Sequence, residues 1–393
     1  MGILDLFCGT GGFSTGVARG LGSHAKVTFG IDLLEVSVET FAANHPDAVA
    51  LTGDIREWDP QRVEDTFDLH PADVDVVVGG PPCQGFSSIR PRRSSTEEDD
   101  RNGLYQDFVD YVQHFEPDAF VMENVVGLAT HNGGKTIRSI HRSFEKRGYT
   151  SDWRILNAAN YGVPQRRERL VMVGVKRGDV VFPAPTHRSN GRAIGHRDRE
   201  RMVSPNAIEY AVGPLPKAVS AWEAISDLPP VLAGEGAEAY RGPPENEFQR
   251  QMRGKTDVLT MHEATGHTER MLDIIRHSGQ NISSIPAGKI TSGFSSCYSR
   301  IDPHLPSVTL TVNFVHPASN KCVHPYQDRA LTPREGARIQ SFDDEYKFAG
   351  SRTRIVKQIG NAVPPLLGEA IGRALRGKDA LAAEETTPVA RVR

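Results

Sequence analysis

The chain has 393 residues, 38% hydrophobic and 24% charged, with a formal net charge of −3. That length buries one large core and a smaller one, and no run of about 20 apolar residues is present, which excludes a helical membrane span. Four cysteines (Cys8, Cys83, Cys297, Cys322), none at C-x-x-C spacing, exclude a disulfide scaffold and point to a reducing cytoplasm.

Met1-Gly2-Ile3-Leu4-Asp5 lacks a basic-then-apolar pattern, so no secretory leader is expected. Gly2–Phe7 is then a short apolar run that ends in Cys8-Gly9-Thr10-Gly11-Gly12. Further runs follow at Val27–Ile31, closed by Asp32, at Val74–Val78, closed by Gly79-Gly80-Pro81-Pro82, and at Ala119–Met122, closed by Glu123-Asn124. Arg154–Leu156 and Leu170–Val175 complete the set. Short apolar runs bounded by Gly, Pro or acids read as buried parallel strands. Between them Leu104, Phe108, Tyr111, Val112 and Phe115, and later Ile137, Ile140 and Phe144, recur at helical spacing. The alternation predicts an α/β fold with a doubly wound, mostly parallel sheet. Its ligands should gather past the carboxyl ends of the strands, where the Gly-rich turn, Asp32, Pro82-Cys83 and Glu123 all fall.

Composition changes after Phe182. Residues 183–328 are rich in Pro, Gly, Ser and His, with fifteen basic and fifteen acidic residues and weak periodicity. They read as a second, irregular domain. Order returns at Leu331, where Thr332 caps a helix beginning at Pro333, and a last helix is expected near Leu366–Leu375. The expected division is therefore 1–182 plus 329–376 as one discontinuous domain, 183–328 as the second, and 377–393 as a disordered tail.

Glycines after a strand let the backbone turn and approach a ligand, and an acid about 20 positions on holds ribose hydroxyls, an interval Asp32 meets. Asp54, another acidic strand end, suits an exocyclic amine. Cys83 follows Pro-Pro at a strand end, a setting that displays a thiol rather than burying it. The polar stretch Ile89–Asn102 suits a lid over a substrate. Glu123 at a buried strand end is costly unless paired or functional, and suits a proton donor. In Gln165-Arg166-Arg167-Glu168-Arg169, strand alternation would put Arg167 and Arg169 on one face, toward an anion or a base carbonyl. From Arg138 to Arg177 ten Lys and Arg outnumber three acids, which by charge alone describes a solvated face. His316, Cys322 and His324 have no strong zinc spacing, and no metal is expected.

Six of these strings, in this order, resemble the motifs of the cytosine carbon-5 DNA methyltransferases, in particular the compact bacterial modification enzymes. They are the Phe-x-Gly-x-Gly-Gly turn at 7–12, Pro82-Cys83-Gln84, Glu123-Asn124-Val125, Gln165–Arg169, Arg329-x-Leu331-Thr332-Pro333-Arg334-Glu335, and Gly360-Asn361-Ala362-Val363. The resemblance covers residues 3 to about 183 and about 300 to 372. It implies a Rossmann-like domain dependent on S-adenosyl-L-methionine, with 183–328 as the target-recognition domain. Phe7 would stack on the cofactor adenine, and Gly9, Gly11 and Gly12 would form its turn. Asp32 would hold the ribose, and Asp54 and Ile55 would flank the adenine. Pro82, Leu104, Asn361 and Val363 would complete the pocket, which returns the C-terminal helix to the first strand. Cys83 would be the nucleophile, Glu123 the acid and Arg169 the base contact, supported by Arg167. Gln84, Ser87, Arg90 and Thr309 would meet DNA.

The expected partner is double-stranded DNA, acted on by a monomeric, cytoplasmic enzyme that joins the nucleoid when bound, with cognate restriction or defence proteins as functional partners. An RNA (tRNA) cytosine-5 methyltransferase is the first alternative, disfavoured by the large insert. A non-catalytic DNA-binding regulator is the second, disfavoured by the intact Cys83, Glu123 and Arg169. A small-molecule enzyme of the same fold is the third.

Overall fold

A computed structural model describes residues 1–82, 103–189, 201–203, 205–290 and 293–377. In chain order the elements are β1 (Gly2–Leu6), α1 (Gly12–Leu21), β2 (Lys26–Asp32), α2 (Glu35–Asn44), β3 (Val49–Thr52), α3 (Pro60–Phe67), β4 (Val76–Gly79), α4 (Leu104–Phe115), β5 (Ala119–Val125), α5 (Lys135–Glu145) and β6 (Thr150–Asn157). Then come β7 (Gln165–Arg166), β8 (Glu168–Val175), α6 (Pro205–Val212), α7 (Ala221–Ile225), α8 (Glu247–Arg253), α9 (Glu269–Arg276), β9 (Ser307–Val308), α10 (Pro333–Ile339), α11 (Arg352–Asn361) and α12 (Pro365–Leu375). No helix among the described residues is long and apolar enough to cross a membrane.

The chain forms two compact units. The first comprises Met1–Tyr161, Glu168–Pro216 and the chain from Leu367; the second comprises Gly162–Arg167 and Lys217–Leu366. These units are drawn differently from the division expected by composition, because residues 329–366 pack with the second unit.

The first unit is built on a seven-stranded sheet of order β3-β2-β1-β4-β5-β8-β6. Pairing is parallel from β3 through β5, while β8 runs antiparallel to both β5 and β6. The six apolar runs all become strands of this sheet. The Val-rich centre of β4 is fully buried, which is why its sequence shows no alternation. β3, the strand that precedes Asp54, is only partly covered at the sheet edge. The chain runs outward from β1 through β2 to β3, then returns to β4 on β1's other side. That reversal places the switch point between β1 and β4.

Helix α12 closes this unit by packing on α1. A Cβ at Gly372 would lie 2.3 Å from the Val17 carbonyl oxygen, one at Gly368 2.6 Å from that of Phe13, and one at Gly20 2.2 Å from that of Glu369. Only glycine permits so close a helix crossing.

The second unit has short helices and, among its described residues, one two-stranded parallel ladder, β7 with β9. Its core mixes hydrophobics, including Phe314, Leu331 and Phe342, with buried ion pairs. Arg329 makes two bonds to the Glu335 carboxylate, at 2.8 and 2.7 Å. Arg338 bonds Asp344 and Asp227, and Arg334 bonds Asp344. As expected, Thr332 caps α10: its hydroxyl accepts from the Glu335 N–H at 3.1 Å, and the Glu335 carboxylate accepts from the Thr332 N–H at 2.8 Å.

Candidate active site

Sheet register decides which strand ends meet. Leu6 aligns with Gly79 and with Ile31, Gly79 aligns with Met122, and Asp32 aligns with Thr52. Phe7 and Gly80, the residues that follow β1 and β4, therefore lie side by side with Glu123, which β5 carries one residue past its last pairing with β4, and beside Asp32. This is the convergence that the strand-end rule anticipates.

Gly80, Pro81 and Pro82 lead out of β4 against the end of β5. A Cβ at Gly80 would stand 3.2 Å from Glu123 Oε2, so glycine keeps that carboxylate close to the segment. Asn124 Nδ2 donates to the Pro81 carbonyl at 3.0 Å, strapping the segment to β5, while its Oδ1 accepts from the Val125 N–H. Pro81 is buried and Pro82 exposed. Glu123 is 8% exposed, and its Oε1 pairs with Arg169 Nε at 2.8 Å. The pair forms because β5 and β8 are antiparallel neighbours, with Val125 opposite Arg169. Cys83, Gln84, Ser87, Arg90 and the expected lid over 89–102 lie outside the described residues.

Cys8, Cys297 and Cys322 are all buried. Burial pushes the Cys8 thiol up, assisted by Asp5 and Asp32, and pushes the Cys322 thiol to about 12. In both, burial disfavours the thiolate form that attacks. His324 Nδ1 accepts from the N–H groups of Tyr326 and Gln327, and Cys322 Sγ donates to the His316 carbonyl. No group that could hold a metal ion occurs among the described residues.

The Gly-rich turn bridges β1 and α1. Phe7, Gly9 and Gly11 have φ of 59°, 51° and 78°, a left-handed course that is strained for Phe7. A Cβ at Gly9 would meet nothing within 4 Å, so that face of the turn is open. Gly12 opens α1. Asp32 ties β2 to the turn: Oδ2 accepts from the Gly9 N–H at 3.0 Å and Oδ1 from the Leu34 N–H at 2.9 Å. Burial raises the Asp32 carboxyl, and these backbone bonds counter part of the rise. Leu33 beside it is 67% exposed. Asp54 is held by the Arg56 side chain, which keeps its carboxyl below the ordinary range. Ile55 and Leu104 pack into the hydrophobic core, with Phe7 against its edge. Beneath the turn, Asp5 is 1% exposed, and burial pushes its carboxyl up to about 7 despite the Ser14 hydroxyl beside it.

Arg167 and Arg169 do not share a face of one strand. The ladder breaks between β7 and β8, and Arg167 sits in the break with its side chain in the second unit. Its guanidinium donates to the carbonyls of Leu310, Gly360 and Asn361, at 3.5, 3.3 and 3.3 Å. Gln340 Nε2 donates to the Ile359 carbonyl at 2.6 Å, and Gln165 Nε2 to Gln340 Oε1 at 2.7 Å. A Cβ at Gly360 would fall 2.4 Å from the Thr311 carbonyl oxygen. These contacts fix the turn bearing Asn361 and Val363. Thr309 is anchored nearby, its hydroxyl donating to the Arg166 carbonyl at 2.8 Å.

Residues 1–377 match the family model for C-5 cytosine-specific DNA methylases. The chain belongs to that family. It is 33% identical to the Type II methyltransferase M.AgeI of Thalassovita gelatinovora, covering 96% of this chain and 99% of that one. It is 35% identical to the Type II methyltransferase M.DdeI of Desulfomicrobium norvegicum, covering 95% and 88%. Its fold is similar to a crystal structure described as a DNA modification methyltransferase encoded within an E. coli prophage, with a TM-score of 0.72, 24% identity, and 96% and 99% coverage.

In this methylase two long-range structural ties escape sequence reasoning. Asn124 was legible only as part of a motif, because its strap to Pro81 spans 43 positions. Gln165 and Gln340 are 175 positions apart, and no local pattern joins them.

Proposed function

We propose that the chain methylates carbon 5 of a cytosine in double-stranded DNA through a covalent adduct of Cys83. The observation that carries this reading is the strap from Asn124 to Pro81, which keeps the lead-in to Cys83 beside the Glu123–Arg169 pair. The donor set suits S-adenosyl-L-methionine: a left-handed turn through Gly9 and Gly11 that is open at Gly9, the Asp32 carboxylate at its edge, the exposed Leu33, and Asp54 at the next strand end. Phe7, Gly9, Gly11, Gly12, Asp32, Asp54 and Ile55 would hold it, with Pro82, Leu104, Asn361 and Val363 as further walls. When bound, it supplies an electrophilic methyl group.

Carbon 5 of cytosine is a weak nucleophile, and covalent attack elsewhere on the ring splits the difficulty. The Cys83 thiolate adds to carbon 6. Glu123 protonates or hydrogen-bonds ring nitrogen 3, and Arg169 holds the ring carbonyl, so charge spreads and carbon 5 becomes enamine-like. After carbon 5 gains its methyl, a base removes its proton and Cys83 leaves by elimination. Arg167 acts at a distance, by holding the turn of Asn361 and Val363. A base inside a duplex is out of reach, so the cytosine is flipped out at a cost of about a few kcal/mol. Gln84, Ser87, Arg90 and Thr309 would contact the DNA, and the second unit would read its sequence. A monomer in the cytoplasm, serving a restriction-modification system, is the setting this reading favours.

The test is DNA carrying 5-fluorocytosine at the target, with the site mapped first by bisulfite sequencing. The wild-type protein becomes covalently linked to it, because fluorine cannot leave as a cation. A Cys83→Ser protein that forms the same adduct overturns the assignment.

A further inference from the structure

We propose that Arg166 and Lys321 form a clamp for one backbone phosphate of the DNA. The proposal rests on the reading above, in which DNA is the substrate and Thr309 contacts it.

Both cations are built around Thr309. Arg166 ends β7 in register with Val308 of β9, and its carbonyl accepts the Thr309 hydroxyl at 2.8 Å. On the other side, Asn320 Nδ2 donates to the Thr309 carbonyl at 3.1 Å, and Lys321 is the next residue. Two main-chain anchors thus set two positive side chains about one point of the second unit.

Among the described residues neither side chain is bonded to a carboxylate. Lys321 Nζ donates to Gln280 Oε1 at 2.6 Å and to the Gln280 carbonyl at 3.2 Å, both neutral acceptors. Arg166 Nε is buried without a hydrogen-bond partner, and among the described residues its guanidinium meets no carboxylate. Arg329, Arg334 and Arg338 of the same unit behave differently, each being bonded to a carboxylate. Burial lowers the Lys321 ammonium; Asp302 opposes this in part, and the Arg166 charge adds to it. Two cations held together against their mutual repulsion make a costly arrangement unless an anion joins them. A guanidinium fork beside a point-charge ammonium matches the oxygens of a phosphodiester. Duplex DNA presents such groups continuously, and each contact releases counterions.

The test measures binding of a short duplex containing the mapped methylation site, across a salt series, for wild type, Arg166→Gln, Lys321→Gln and Arg166→Lys. Arg166→Gln and Lys321→Gln should each flatten the slope of log affinity against log salt by about 0.9, one phosphate's worth. Arg166→Lys should keep the slope, and S-adenosylhomocysteine should bind all four proteins alike. Duplexes with single methylphosphonate linkages give a second readout. At one linkage, removing the DNA charge weakens wild type but weakens Arg166→Gln and Lys321→Gln no further. If Arg166→Gln does not fold, Lys321→Gln and Arg166→Lys carry the same comparison. Unchanged slopes in folded variants of a wild type that methylates DNA overturn the clamp alone. A wild type that neither binds nor methylates the duplex overturns the DNA reading and the clamp together.

Discussion

Arg169 Nε and Glu123 Oε1 are 2.8 Å apart, on antiparallel neighbours at the edge where β1, β4 and β5 end. Each compensates the other's burial, so neither acts alone. Glu123→Gln and Arg169→Ala should each lower single-turnover methylation by roughly 10²–10⁴, while cofactor affinity stays at wild-type levels. The double variant should lose little more than either single one. Independent, multiplying losses would show that the pair does not act as a unit.

Asn124→Ala removes the donor to Pro81 and leaves that carbonyl without its partner. We expect a modest loss of stability, about 1–2 kcal/mol, and a larger loss of turnover, because the Cys83 lead-in is freed. Adduct formation with 5-fluorocytosine DNA should slow in step. An unchanged adduct rate would separate the strap from nucleophile positioning.

Gly360→Ala drives a methyl group into the Thr311 carbonyl, 2.4 Å away, where backbone must yield. The cost should be about 1–3 kcal/mol, read as a lower melting temperature. A weaker cofactor affinity would accompany it if Asn361 and Val363 line that pocket. A neutral substitution would mean that the Asn361 turn moves freely.

Asp5 makes stability depend on pH. Its carboxyl rises from 3.8 to about 7 in the fold, so the protonated form is favoured there. The resulting stabilisation is complete below about pH 4 and is lost as pH climbs through 7, amounting to roughly a few kcal/mol. Asp5→Asn should remove this component, so that the variant gains relative to wild type between pH 5 and pH 8, the range to scan by denaturant melts. Parallel pH profiles for the two proteins would show that Asp5 ionises freely.

Glu335→Gln unpairs Arg329, which is fully buried. Loss of the carboxylate should destabilise the second unit by about 3–5 kcal/mol. A melt that shifts by less than a surface substitution would contradict the role of that pair.

The sheet and its functional edge were legible because each strand is an apolar run stopped by Gly, Pro or an acid, and Glu123, Asp32 and the Gly-rich turn are themselves the stops. β3 was legible only through the acid that follows it, Asp54, because its apolar run Val49-Ala50-Leu51 is short and only partly covered. Arg167 was misread for a physical reason: alternation assumes an unbroken strand, and nothing local marks the break before Glu168. The second unit resisted reading because it is organised by pairs such as Arg338 with Asp227, 111 positions apart, and not by periodic apolar faces.

Contact between α1 and α12 joins two segments made far apart in time. A ribosome releases Phe13 and Val17 long before Gly368 and Gly372 exist to cover them. The nascent sheet must therefore wait with one flank bare, and chaperones that shield apolar surface have their longest opportunity there. A circularly permuted chain, with α12 joined ahead of β1, would remove the delay and should mature faster in cell-free translation.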